Sequence, residues 1–252
     1  MASQTIIETT ELTKRYGHQL AVDRLSFRIE EGEIFGFLGP NGAGKTTTLL
    51  MLLGLSLPSA GSARVCGRDP VREAREVKQQ VGYLPENVGF YGDLNAVESL
   101  EYIAALNGIG RSQSREKILE VLRVVGLSEE VHQQDVGTYS RGMRQRLGIA
   151  EVLIKEPKVM FLDEPTLGLD PEGALRLIEL IKSLNERRQM TVLLSSHNLQ
   201  QVQMISHRVG IMIKGRLVAE GTIDALAKET FGVGEEKYTL EEIYMKYFRE
   251  VL

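Results

Sequence analysis

The sequence predicts an α/β protein with a largely parallel sheet and a helical lobe inserted into it. Short apolar strand patterns alternate with helical patterns over most of the chain, which is typical of a parallel sheet. Between about residues 95 and 153 the strand patterns stop, and helical patterns follow one another. A length of 252 residues suits one large domain that carries a lobe better than two independent domains.

Apolar runs bounded by turn residues predict the strands. They lie near residues 6–12, 25–29, 34–38, 63–65, 81–84, 159–162, 191–195, 209–213 and 217–220. Apolar residues at helical spacing predict the helices. These lie near residues 46–53, 71–80, 96–106, 114–125, 140–153, 171–188 and 199–205. We therefore expect an α/β core formed by residues 1–94 and 154–230, a helical lobe of residues 95–153 and a helical tail of residues 231–252.

The tail contains one more helical pattern, at residues 239–252. Its apolar residues fall on one face of a helix: Leu240, Ile243, Tyr244, Tyr247, Phe248 and Val251. We expect this face to pack on its own domain, with a dimer contact as the alternative.

Composition and charge limit the possible partners. The formal net charge is -4, which gives no electrostatic reason to expect nucleic acid on a broad surface. The single cysteine, Cys66, cannot form an intrachain disulfide. No apolar run is long enough to span a bilayer, so we expect a cytoplasmic protein that would act at a membrane only through another polypeptide.

A glycine-rich loop forms the predicted phosphate site. Residues 39–46 read Gly-Pro-Asn-Gly-Ala-Gly-Lys-Thr, between a predicted strand and a predicted helix, and fit the pattern G-x-x-x-x-G-K-[ST]. Such a loop points successive N–H groups at an anion, and the helix adds its positive end. Lys45 is expected to reach the β and γ phosphates, and the Thr46 hydroxyl to bind Mg²⁺. GTPases, kinases and motor ATPases share this loop.

Two acidic residues end a later apolar strand and predict hydrolysis. Asp163 and Glu164 follow residues 159–162, which places them at the carboxyl edge of the sheet beside the loop. Asp163 would hold Mg²⁺, and Glu164 would deprotonate the attacking water. No Asn-Lys-x-Asp sequence for reading guanine occurs, so adenine is favoured. The Tyr16 ring is a candidate for stacking on the base.

Further elements, in the same order, make the chain resemble the nucleotide-binding subunits of ATP-binding cassette (ABC) transporters over about residues 6–220. Glu86 stands where the family usually has the Q-loop glutamine. Residues 139–143, Tyr-Ser-Arg-Gly-Met, resemble the family signature, and Arg-Gln-Arg continues it. Residues 168–170, Gly-Leu-Asp, look like the D-loop, and His197 matches the switch histidine.

The resemblance implies a P-loop NTPase fold of the ABC ATPase type, with a RecA-like core, an N-terminal antiparallel β portion and an inserted helical subdomain. It assigns catalysis to Lys45, Glu164 and His197, and Mg²⁺ binding to Thr46, Glu86 and Asp163. The residues expected to contact ATP are Tyr16, Gly39, Pro40, Asn41, Gly42, Ala43, Gly44, Lys45, Thr46, Thr47, Ser140, Arg141, Gly142, Met143 and Asp170. Ser140 and Gly142 would meet the γ-phosphate held by a second subunit, so the active unit would be a dimer of identical or closely related chains.

Departures from the usual pattern refine the functional expectation. Glu86 replaces glutamine, and Arg141 and Met143 replace the glycine and glutamine of the common signature. This pattern looks most like exporter ATPases made separately from their membrane subunits, with residues 89–91, Gly-Phe-Tyr, expected either to receive the permease or to close the lobe's own core. The alternatives are an importer ATPase, a soluble ABC ATPase that acts on ribosomes or DNA, and a nucleotide sensor without turnover.

Overall fold

A computed structural model of the chain describes residues 4–232 and 238–251. The strands are β1 (Thr5–Tyr16), β2 (Gln19–Glu30), β3 (Ile34–Leu38), β4 (Ala60–Val65), β5 (Val81–Leu84), β6 (Val159–Asp163), β7 (Thr191–Ser196), β8 (Arg208–Ile213) and β9 (Arg216–Gly221). The helices are α1 (Lys45–Leu52), α2 (Ala74–Gln80), α3 (Ala96–Leu106), α4 (Arg111–Val124), α5 (Arg141–Leu153), α6 (Pro171–Arg188), α7 (Leu199–Ile205), α8 (Ile223–Phe231) and α9 (Leu240–Val251).

The main sheet has the order β5-β6-β7-β3-β8-β9 in the part of the chain that the structure describes. All neighbouring pairs are parallel except β8 and β9. The central strands are buried along their whole length, as their continuous apolar sequences require. The parallel core predicted from the sequence is confirmed, and its arrangement brings the carboxyl ends of β3, β6 and β7 to one edge.

A second sheet, with the order β2-β1-β4, is antiparallel and matches the expected N-terminal β portion. A hydrophobic cluster joins residues of this sheet, of α1 and of the main sheet. Its centre includes the rings of Phe27, Phe35 and Phe37, whose centroids lie 5.0–5.8 Å apart. Because α1 contributes Leu49 and Leu52 to this cluster, the helix that follows the phosphate loop is held firmly.

The helices α3, α4 and α5 form the lobe between β5 and β6, as predicted. Asn95 and Glu98 form a reciprocal capping box at the start of α3. The Ser140 side chain caps α5. Buried residues of the lobe, such as Ile118, Leu122 and Leu147, belong to the same cluster as the main sheet residue Leu162, so the lobe packs directly on the core.

Some boundaries differ from the predicted ones. β1 and β2 have twelve residues each and are longer than predicted. Register shifts near Glu11 interrupt the alternation of apolar and polar residues that marks a strand in the sequence, while the pairing of the two strands continues past them. α2 begins at Ala74 instead of residue 71, since the Asp69 carboxylate accepts the Val71 N–H and forms a turn there. α4 starts three residues earlier than expected, at Arg111. The sequence analysis missed α8, which is capped by Thr222.

The C-terminal helix α9 packs on its own domain, which confirms the first of the two expectations for the tail. Leu240 and Ile243 are fully buried, and α9 contacts α7, α8 and β8. The Leu240 N–H donates to Gln203 Oε1 at 2.9 Å. Residues 233–237, the Val251 side chain and Leu252, which fall in the predicted tail, lie outside the described residues. Across the described ranges, no helix combines the length and the apolar character needed to cross a membrane.

Candidate active site

The phosphate loop connects β3 to α1 in a conformation that requires glycine. Gly42 and Gly44 have φ angles of 80° and 103°, which side chains disfavour. A Cβ atom at Gly39 would lie 2.3 Å from the Met212 carbonyl oxygen. No described side chain caps α1, so the N–H groups of its first turn are left for an anion.

Two buried charges lie beside this loop. The Lys45 ammonium donates to the Gly39 carbonyl at 2.7 Å and lies 3.3 Å from Glu164 Oε1. Both side chains are less than 10% exposed. The pair is close enough for charge attraction, yet no described group donates a well-aligned hydrogen bond to Glu164 Oε1. A buried carboxylate oxygen without a donor suits the capture of a water molecule.

The Glu164 carboxylate is held from its other side by His197. Glu164 Oε2 accepts hydrogen bonds from the His197 ring Nδ1 at 2.8 Å and from the His197 N–H at 3.3 Å. The Glu164 backbone has a φ of 47°, a left-handed conformation that costs a non-glycine residue about 1–3 kcal/mol. Its N–H donates to both the carbonyl and the hydroxyl of Ser195, each at 3.1 Å. A strained residue at the end of a strand is typical of a functional site.

Several side-chain oxygens meet at Asp163. The Thr46 hydroxyl donates to Asp163 Oδ1 at 3.1 Å, and the Ser195 hydroxyl donates to the same oxygen. These are hard donors of the kind that Mg²⁺ prefers. Asp163 is nearly fully buried, so a bound cation would offset the desolvation of its charge. The residues present therefore fit the expected ion.

Tyr83, on β5, also reaches Asp163, which the sequence analysis did not foresee. The pKa of Tyr83 is raised to about 12, mainly by burial of the phenol. The charge of Asp163, a hydrogen bond to Asp163 and the charge of Glu86 raise this pKa further. The phenol therefore keeps its proton at neutral pH and donates to the carboxylate.

An open cleft of about 400 Å³ brings most of the predicted nucleotide residues together. Its lining includes Tyr16, Asn41, Gly42, Ala43, Gly44, Lys45, Thr46, Thr47, Glu86 and Glu164. Gly39 and Pro40 lie behind it, where their carbonyl oxygens accept from Lys45 Nζ. The Tyr16 ring is half exposed at the cleft, with Lys14 Nζ 4.7 Å from its centroid.

The signature residues lie at a separate concave surface of about 250 Å³. It is lined by Ser140, Arg141, Gly142, Arg146, Gly168, Leu169, Asp170, Glu172, Gly173, Arg176 and Leu177. It shares no lining residue with the phosphate cleft. Met143 donates its N–H to the Ser140 hydroxyl at 3.2 Å, while its side chain packs against the core and does not line this surface.

The D-loop packs beside the signature. Asp170 caps α6 by accepting the Gly173 N–H. Gly168 has a φ of 71°, and a Cβ atom there would lie 2.9 Å from the Arg141 guanidinium carbon. The Arg141 guanidinium, which departs from the common signature, therefore lies directly against Gly168.

Comparison with known proteins identifies the family. Residues 22–167, more than half of the chain, match the family described as ABC transporter. The chain belongs to the ABC transporter family. It is 44% identical over 224 residues to the bacitracin transport ATP-binding protein BcrA of Bacillus licheniformis, a match that covers 89% of this chain and 72% of BcrA.

Other ABC proteins agree with this result. The Nod factor export ATP-binding protein I of Paraburkholderia xenovorans is 38% identical over 91% of this chain and 75% of its own length. A solved ATP-binding subunit of an ABC transporter superposes with a TM-score of 0.85 at 28% identity, covering 97% of this chain and all of that one. The expected ABC ATPase fold and the assignment as an ATPase of this family are thereby confirmed.

Proposed function

We propose that this chain is the ATP-hydrolysing subunit of an ABC exporter, and that it drives a separately encoded membrane permease from the cytoplasmic face. The observation that carries the proposal is the buried Glu164 carboxylate, held between Lys45 and His197 beside the Thr46–Asp163 pair. A base, a cation and hard oxygen ligands at one phosphate loop are the parts that phosphoryl transfer to water requires.

Each residue has a chemical role in this proposal. Thr46 and Asp163 would hold Mg²⁺, with Glu86 reaching it through water, and the ion would supply charge neutralisation on the phosphates. Lys45 would turn from Glu164 to the β and γ phosphates, which frees Glu164 to take a proton from water. The water oxygen bonds to the γ-phosphorus, the bond to the bridging oxygen breaks, and ADP leaves with the electron pair. His197 would orient Glu164 and contact the γ-phosphate.

A dimer would complete the site. The surface around Ser140, Arg141 and Gly142 has the positive end of α5 but lies apart from the phosphate cleft of the same chain. With a second subunit turned head to tail, this surface and the Asp170 loop would face the γ-phosphate held by the partner's loop. Two ATP molecules would then be enclosed, and hydrolysis would open the pair.

The exporter assignment draws on the relatives. BcrA is named for bacitracin transport, and the Paraburkholderia protein for export of Nod factor. For permease docking we propose the face at residues 89–91. Tyr91 is 62% exposed there and its ring lies perpendicular to that of Tyr102, whereas Phe90 is partly buried against the core. An exposed aromatic is well suited to anchor a partner.

Replacing Glu164 with glutamine tests the catalytic assignment. The amide keeps the size of the side chain but cannot accept the proton, so we expect phosphate release to fall at least about 100-fold. ATP binding should persist, and size-exclusion chromatography with MgATP should show a stable dimer. The control is Glu186→Gln on the exposed face of α6, where only a 4.0 Å ion pair with Lys182 is lost. A monomer with full turnover would refute the proposal.

The transporter part has its own test. Affinity purification of the tagged chain from detergent-extracted membranes should recover a membrane-spanning protein. Recovery of ribosomal material alone would favour the soluble ABC ATPase, and phosphate release below detection in the intact chain would favour the nucleotide sensor. For an importer, the same purification should instead recover a permease together with a solute-binding protein.

A further inference from the structure

The backbone that carries Glu164 is strained, and the structure holds it on both sides. On its amino side, the Glu164 N–H is fixed by Ser195 of the neighbouring strand β7. On its carboxyl side, the Pro165 carbonyl accepts a hydrogen bond from Gln145 Nε2 at 2.9 Å. A left-handed non-glycine conformation persists only where neighbouring groups determine it. Loss of either attachment would allow the Glu164 backbone to relax.

Gln145 is unusual for its burial and its place in the chain. Its side chain is only 2% exposed, and it lies on α5, one turn after the signature residues Ser140 and Gly142. Its hydrogen bond therefore joins the helical lobe to the segment just after β6, and the two bonded residues are 20 positions apart in the sequence. The buried Pro165 carbonyl would lose this donor if the lobe moved away.

The turn after Glu164 is also fixed from α7. The Leu167 N–H donates to the Glu164 carbonyl at 3.0 Å, which closes the turn. The Thr166 hydroxyl donates to Gln201 on α7, the helix that follows His197. The turn thus has one attachment to the signature helix and one to the helix next to the switch histidine.

We propose that Gln145 is a positioning residue that keeps the Glu164 carboxylate in its catalytic position only while the signature helix is docked on the core. This inference rests on the proposed function of Glu164. Gln145 does not touch the nucleotide in this scheme. It makes the position of the base depend on the orientation of the lobe, so a lobe rotated away from the core would leave the phosphate loop intact but the base displaced.

Gln145→Met is the first test, because methionine keeps the volume of the side chain and removes the donor. We expect kcat to fall about 10- to 100-fold, the loss typical of a displaced catalytic group, with the KM for ATP changed less than about twofold. The ATP-bound dimer should accumulate, as in Glu164→Gln. The matched control is Gln134→Met in the same lobe, where only an exposed bond to the Glu130 carbonyl is lost.

Two results would overturn the inference. An unchanged kcat would show that Gln145 has no influence on the base. A raised KM together with loss of the ATP-bound dimer would show that the substitution disturbs the Ser140 surface instead. Hydrolysis by the unmodified chain and its loss in Glu164→Gln are measured alongside, so failure of the proposed function is distinguished from failure of this inference.

Gln145→Glu provides a second readout if the methionine variant does not fold. Only the protonated carboxyl group can donate to the Pro165 carbonyl, and burial favours that neutral form. The ratio of kcat in this variant to kcat in the unmodified chain should therefore rise as the pH falls from about 8 to about 6. A ratio that stays flat over this interval would contradict the positioning role, since a purely structural defect would not titrate.

Discussion

Two helices begin at predicted phosphate-binding residues, but their first turns are built differently. α1 follows the left-handed Gly44, has no side-chain cap among the described residues and begins at the buried Lys45. α5 is capped by the Ser140 hydroxyl and begins at the exposed Arg141. The first helix end needs an anion to satisfy its N–H groups, whereas the second is partly satisfied by its own chain. This difference supports our proposal that the chain holds its own nucleotide at α1 and offers α5 to another molecule.

The largest effect should follow from Lys45→Met, which removes the charge at the first helix end. We expect the affinity for MgATP and the turnover to fall at least about 100-fold, because a preorganised cation is lost from the phosphate loop and the Glu164 carboxylate loses its ion pair with Lys45. Titration with a fluorescent ATP analogue measures the binding. Lys182→Met, on an exposed face of α6, is the control. Binding at the original affinity would contradict the role of this helix end.

Ser140→Ala should have a smaller effect and act only at the second helix end. Binding of ATP to the isolated subunit should stay unchanged, while turnover falls about tenfold through loss of one hydrogen bond to a charged group in the dimer. Loss of the helix cap should lower the free energy of unfolding by about 1 kcal/mol, as measured with urea. Ser128→Ala, an exposed residue whose side chain caps nothing, serves as the control. Weaker ATP binding by the monomeric Ser140→Ala variant would contradict the different roles proposed for the first turns of α1 and α5.

The smallest effect on turnover is expected from Gly168→Ala beside the signature. Alanine would have to adopt the left-handed conformation of Gly168, and its methyl group would displace the Arg141 guanidinium. The free energy of unfolding should therefore fall by about 1–2 kcal/mol. Turnover should fall only a few-fold, because arginine is flexible. Adding Arg141→Ala should restore part of the stability in a double-mutant cycle. The control is Gly108→Ala, which also has a left-handed φ of 74° but has nothing within 4 Å of the added atom. Additive losses in the cycle would show that Gly168 and Arg141 do not interact.

Much of the fold was predictable because the relevant signals are local. The apolar strands Ile34–Leu38 and Val81–Leu84 have the predicted bounds. The helix Pro171–Arg188 does too, since Asp170 and Pro171 mark its start. The short helix α8 was missed, because nine residues are fewer than the window of about 11–18 residues over which a helical period can be recognised.

The site divides in the same way. The phosphate loop, Asp163 and Glu164 were found from contiguous patterns, and His197 from the resemblance to the family. The structure brings them together. Ser195 and Tyr83 were given no role from the sequence, and Gln145 was noted only as part of the Arg-Gln-Arg that continues the signature. Each of the three acts across to a neighbouring strand or turn, which a local pattern does not reveal. Periodicity predicts that strands exist but carries no information about which strand lies beside which. The sheet order was needed to show that these side chains meet Asp163 and the segment that carries Glu164.

The strand order of the main sheet also restricts which residues can stand at the end of β7. This strand runs between β3 and β6, so the elements that supply Thr46 and Asp163 are separated by two interstrand spacings of about 4.8 Å each. Thr46 and Asp163 nevertheless meet over the end of β7, where the chain has the small residues Ser195 and Ser196. Small side chains at that end therefore leave the room that two other elements need to touch, and the Ser195 hydroxyl also hydrogen-bonds to Asp163 and to the Glu164 N–H.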